Sequence, residues 1–304
     1  MAPLGPPQRD DMQGQRLMHT AGSRPRGGAL LQLRHWGLAL AASLLLGACS
    51  EQPPREPVAG SVVKGLVEGA SVEVYRMDDF GQPQGEPIAS GSTGPQGRFT
   101  LSELPEGGPF LLRAFGGSYI DEADQTGTRR ISFGPNEGLE TLLPAGVNTV
   151  AITPYSNALL AKIRNEAAAD GTFFARVDGV RALFAEAFEF DVLTTTPTDP
   201  QNPTAGGAAR SYALMLGGAA TWLHAVANEL GFAQQTPALI ALLVQDLTDG
   251  ALDTALRGQP LNYPGAPEGF TLPDLNGAIE RFRNNNDPRY TGVSAPEILS
   301  LIHI

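Results

Sequence analysis

The apolar residues of this chain change their spacing near Val150, and no single regular architecture accommodates both spacings. Before that point they sit in short runs with a period near two, separated by Gly and Pro. In 71–77, Val72, Val74 and Met77 roughly alternate with Glu73 and Arg76, the pattern of a half-buried strand. Residues 61–67, 88–93, 97–101 and 110–115 read as further strands, and Gly94-Pro95-Gln96 supplies a turn between two of them. Strands so closely spaced predict a β-sandwich over 58–146. After Val150 the period becomes about 3.6. Thr153-Pro154 and Thr236-Pro237 each place an N-cap Thr before a first-turn Pro. Leu159, Leu160 and Ile163 form one apolar face, and Val180, Leu183, Phe184, Ala187 and Phe188 a second. Leu239, Ile240, Leu243 and Leu247 form a third. A helix over 208–230 ends at Gly231, a residue suited to a left-handed cap, after a Pro/Thr-rich loop at 194–207. A last helix is expected over 273–284. The fold class is therefore multidomain α+β, an Ig/transthyretin-like sandwich followed by an α-helical bundle over 147–293.

Family resemblance sharpens the first half. The order of a strand, Gly69-Ala70, Ser71-Val72-Glu73-Val74-Tyr75, then Thr93-Gly94-Pro95-Gln96-Gly97-Arg98-Phe99-Thr100-Leu101 resembles carboxypeptidase regulatory-like domains. The resemblance covers 58–117 and implies a transthyretin-like sandwich of structural, adhesive or glycan-associated type rather than a catalyst. Gly117-Ser118-Tyr119-Ile120-Asp121-Glu122-Ala123 resembles a segment that often follows this module in bacterial lipoproteins.

The N-terminal region supplies an address. Arg24, Arg26 and Arg34 precede the apolar stretch 36–46, and Gly47-Ala48-Cys49 follows. A positive segment, a short apolar core and small residues describe a secretory signal over 1–48. Eleven residues span about 16 Å as a helix, too little for a bilayer. Leu46-Gly47-Ala48-Cys49 resembles the lipobox of bacterial lipoproteins, and Cys49 is the only Cys in the chain. The resemblance implies cleavage before Cys49 and its acylation by palmitate-like chains. Each buried methylene contributes about 0.8 kcal/mol to anchoring. Ser50, where the family's inner-membrane retention signal has Asp, implies an outer-membrane lipoprotein of a Gram-negative-type envelope. A soluble secreted protein with an incidental Cys is the alternative. Residues 49–57, polar and Pro-rich, read as a tether. Met18 offers a more usual start than Met1. Residues 294–304 end in Leu299-Ser300-Leu301-Ile302-His303-Ile304, which reads like a translated adapter, so a native chain running past residue 298 is expected.

Charge and inventory narrow the function. Residues 1–48 hold five Arg and two acidic residues, leaving 16 Lys+Arg against 30 Asp+Glu in the remainder, a net charge of −14. Such a surface repels nucleic acid and anionic lipid alike. Beyond Cys49 only His224 and His303 could serve as an imidazole base, and His224 lies among apolar neighbours in Trp222-Leu223-His224-Ala225-Val226. It is expected to be a partly buried or interface residue. No HExxH, paired Cys motif or Walker loop is present, so no cofactor is expected. Residues 212–226 are apolar nearly all round, yet Gly217, Gly218, Thr221 and His224 interrupt them, which favours a buried central helix over a membrane span. Gly217-Gly218 would let a neighbouring helix approach closely.

Two acidic clusters remain. Asp246, Asp249 and Asp253 share a face if their helix continues through Gly250, making them weak candidates for Ca²⁺, though a solvated helix end fits better. Asp121, Glu122 and Asp124 read as a solvated loop patch that could meet a cation or a sugar hydroxyl. The expectation is a non-catalytic, lipid-anchored binding or scaffolding protein with an envelope protein or glycan as partner. Two alternatives stand beside it: an envelope enzyme acting on glycan or peptide through paired carboxylates, and a Ca²⁺-stabilised adhesion module.

Overall fold

The computed structural model describes residues 56–233, 235–249 and 252–293. The expected signal over 1–48, Cys49, almost all of the expected tether and the segment 294–304 lie outside them.

The described chain is a mixed α+β protein with four sheets and five α-helices. In order it forms β1 (Val58–Val62), β2 (Ser71–Met77), β3 (Pro83–Ser92), β4 (Arg98–Leu101), β5 (Phe110–Phe115), β6 (Ser118–Ile120), β7 (Arg130–Ser132), β8 (Gly138–Leu143) and β9 (Thr149–Ile152). Then come α1 (Pro154–Ala167), α2 (Phe173–Phe188), α3 (Ala208–Glu229), α4 (Pro237–Asp246), the short strands β10 (Ala255–Leu256) and β11 (Gln259–Pro260), and α5 (Leu275–Asn285). One sheet runs β4-β1-β9, with β1 antiparallel to β4 and parallel to β9. The other large sheet runs β3-β2-β5-β8, all antiparallel. β6 pairs with β7 and β10 with β11.

Local chemistry explains most of these elements. The imperfect alternation in β2 has a cause: its register against β3 shifts between Val74 and Arg76, so the third buried residue is Met77 rather than Arg76. β3 buries none of its ten residues and carries Pro83, Gly85 and Pro87, which suits an edge strand. Thr153 caps α1 in a reciprocal box with Ser156, and Thr236 caps α4. Gly231, at φ 79°, ends α3 in a Schellman motif: its N–H donates to the Asn228 carbonyl and the Phe232 N–H to the Ala227 carbonyl. A Cβ at Gly217 would meet the Phe282 ring at 2.1 Å, and one at Gly218 would meet Ile279 at 2.3 Å. The two glycines therefore seat α5 directly on α3.

Strands and helices share one core and fall in one compact unit. α1 packs on β8, α2 and α4, with Leu159, Leu160 and Ile163 fully buried. Arg164 of α1 donates to the Gly81 carbonyl at 2.9 Å and pairs with Glu140 of β8, while Asn157 accepts from the Glu140 N–H. β9 lies past the expected domain boundary at 146 yet completes the sheet of β1, so that sheet draws on both sides of it. Leu183, expected on the buried face of α2, is 38% exposed; Val180, Phe184 and Phe188 suffice to seat the helix. Among the described residues no helix is long and apolar enough to cross a membrane.

Candidate functional site

The main concentration of buried charge lies on the loop joining β6 to β7. Lys64 and Glu122, 0% and 1% exposed, form an ion pair at 2.8 Å. Gly65, at φ 64°, turns its N–H onto the other oxygen of Glu122, and a Cβ there would strike the Ile120 carbonyl and the Tyr119 ring. The Lys64 ammonium also sits 5.2 Å from the Tyr119 ring centroid. Asp121, fully buried, accepts from the Ala123 N–H at 3.0 Å, from Gln235 Nε2 at 2.5 Å and from Arg129 Nη1 at 3.3 Å. Asp124 accepts from the N–H groups of Thr126, Thr128 and Arg129 and from the Thr126 hydroxyl. Gln201 Nε2 bridges the carbonyls of Asp121, Glu122 and Asp124.

The expected solvated patch is therefore a buried latch, and this corrects the sequence reading. Lys64 and Gly65 lie 58 and 57 residues from Glu122 and Gln235 lies 114 from Asp121, so nothing local announced these partners, whereas the Asp124 carboxylate is held by its own loop. The one available signal was turn chemistry: Asp121, Asp124, Thr126 and Gly127 are residues that fold a loop back on its own backbone.

Electrostatics follow burial. Desolvation raises the Glu122 carboxyl above its ordinary range, outweighing the Lys64 charge that lowers it. Burial drives the Tyr119 phenol well up, with the charges of Glu122 and Asp121 adding to the effect. The Thr126 hydroxyl and then the Arg129 N–H hold Asp124 well below the usual carboxylate range. Both oxygens of all three carboxylates are engaged by protein donors. The hydroxyl of Tyr119 and Oε1 of Gln235 are buried without a partner.

His224 is partly buried on α3, one of the two placements expected for it, and accepts at Nδ1 from Arg129 Nη1 at 3.1 Å, since a guanidinium can only donate. It thus joins the latch through Arg129.

Asp246, Asp249 and Asp253 do not share one helical face. α4 ends at Asp246 and passes into a 3-10 turn at Leu247–Asp249. Asp246, fully buried, accepts from the N–H groups of Asp253 and Thr254 and from the Tyr263 hydroxyl at 2.8 Å. Asp249 accepts from the Arg257 N–H, and Asp253 from the Ala255 N–H. Desolvation pushes Asp246 up to about 6 against the donors that pull it down. Among the described residues no group of three or more His, Cys, Asp or Glu side chains is arranged to hold a metal ion.

Compared with known families, curated proteins and solved structures, the chain matches none.

Proposed function

We propose that this chain is a non-catalytic outer-membrane lipoprotein, held at the envelope through acylated Cys49 and presenting a rigid binding or scaffolding body. The observation that carries the rigid, non-catalytic part is the use of charge inside that body. Asp121, Glu122 and the imidazole of His224 are engaged in internal bonds that tie distant segments together, and the Asp124 carboxylate closes its own loop. The lipobox-like Leu46-Gly47-Ala48-Cys49 supports the anchor.

On this reading the sheets β4-β1-β9 and β3-β2-β5-β8 are the two layers of a transthyretin-like sandwich of the carboxypeptidase regulatory-like kind. Helices α1 to α5 make up the helical bundle. Two sheets in which four of the five strand pairings are antiparallel support the sandwich. The partner is an envelope protein or a glycan, and a strongly acidic surface disfavours nucleic acid.

Intact mass and membrane fractionation of the expressed protein, beside Cys49→Ala, test the anchor. An acylated mass in the outer-membrane fraction, lost in the variant, is the expected result. A wild-type protein that is soluble and unmodified would remove the anchor and move a secreted enzyme to the front.

A further inference from the structure

We infer that a cleft between the paired ends of β1 and β4 and the 196–204 loop is a binding subsite for a neutral saccharide. This rests on the binding role proposed above and gives that role a place and a ligand class.

The cleft has the marks of a built site. Ser61 of β1, 3% exposed, lines it, and its hydroxyl is buried without a partner. A buried hydroxyl left unbonded is costly, and native folds rarely keep one without a use. Gln96, in the turn that enters β4, also lines the cleft at φ 67° and ψ 17°, a left-handed conformation uncommon for a non-glycine residue.

The facing wall is held in place before any ligand arrives. Its 196–204 loop is tied to the acidic latch by the three bonds from Gln201. Tyr290 Oη donates to the Pro200 carbonyl at 2.6 Å, and Arg289 to the Gln201 carbonyl at 2.7 Å. Thr198 Oγ1 accepts from the Thr204 N–H at 3.0 Å. A wall already ordered loses little entropy on binding.

The lining chemistry selects the ligand. Arg98 offers donors, Asp199 acceptors, and Asn202 and Thr198 both, while the half-buried Leu66 adds apolar surface. A sugar ring matches this mixture, because its hydroxyls both donate and accept and its C–H face is apolar. An anion would meet Asp199 and the acidic surface as a whole; a cation would meet Arg98. The volume is about 130 Å³. That suits about one ring, since a cavity of about 150 Å³ holds benzene.

The test is saturation-transfer NMR on the full chain, in a detergent without a sugar headgroup, with glucose, galactose and N-acetylglucosamine as probes. Transfer to at least one sugar is expected, with a Kd on the order of millimolar for so small a contact. Ser61→Ala and Asn202→Ala should each weaken binding roughly fivefold, by removing one hydrogen-bonding group. Asn202 is exposed, so its variant stays informative if the Ser61 variant does not fold. No transfer to any of the three sugars overturns the inference, as does binding undiminished by Asn202→Ala. Sugar binding by a protein without an acyl group would keep the cleft and remove the anchor, so the two readings fail separately.

Discussion

Two acidic loops of this molecule look alike in sequence and do different work. The 121–124 cluster reaches across the fold, to Lys64 and Gly65, to Gln201, to Gln235 and, through Arg129, to His224. The 246–253 cluster closes on itself, with partners at 253, 254, 255, 257 and 263. Sequence spacing favoured the second as a site, because three carboxylates at intervals of three and four suggest a shared face. The lesson is that spacing reports neighbours along a helix, whereas the burial of a charge depends on what the rest of the chain brings to it.

Breaking the first loop should cost the most. Glu122→Gln strips Lys64 of its counter-charge in a dry setting and is expected to lose about 3–5 kcal/mol of stability in urea unfolding. A loss below about 1 kcal/mol would mean that the pair is wet and the latch illusory. The double variant Lys64→Met with Glu122→Leu should recover much of the loss, since a buried pair is often replaceable by apolar groups. In the second loop, Asp246→Ala orphans two N–H groups and the Tyr263 hydroxyl, yet water can reach a loop that opens. About 1–3 kcal/mol is expected by the same measurement. A cost equal to that of Glu122→Gln would erase the contrast between the loops.

Acidity separates Asp246 from Asp124 by sign. The Asp246 carboxyl titrates at about 6 when folded, against an ordinary value of 3.8. The native state therefore binds the proton first, and this group adds stability as pH falls from about 6 toward 4. Asp246→Asn should remove that gain when unfolding is followed between pH 7 and pH 5. Asp124, held low by its donors, works in reverse. Its contribution is present above the ordinary aspartate range and is lost as pH falls below it, so Asp124→Asn should flatten the acid limb of the same curve. Parallel pH profiles for the two variants would show that the environments do not differ. The smallest effect is expected from calcium. With Asp246, Asp249 and Asp253 bound to their own backbone, adding Ca²⁺ or a chelator should leave Tm unchanged, and a drop with chelator would restore the ion-binding alternative.

Much of the local structure could be read from residues. Thr153-Pro154, Thr236-Pro237 and Gly231 mark helix ends because capping is settled within four residues of chain. Gly217-Gly218 indicated a close approach on α3, although not that Phe282 and Ile279 of α5 would make it. Leu183 was misplaced because a 3.6 period gives a face without saying how much of its width is covered. The parallel pairing of β9 with β1 could not be foreseen, since it joins residues ninety apart (Ala59 and Thr149).

The sequence by itself determined the change from strands to helices, the ends of those helices and the inventory of chemistry. Those features depend on backbone propensity and on contacts a few residues apart. Only the tertiary structure decided which charges are dry, that Ser61 faces a cleft without a partner, and that Asp121, Glu122 and Asp124 bind the fold together. Desolvation and pairing are properties of a three-dimensional neighbourhood, and here that neighbourhood is drawn from five separate stretches of chain.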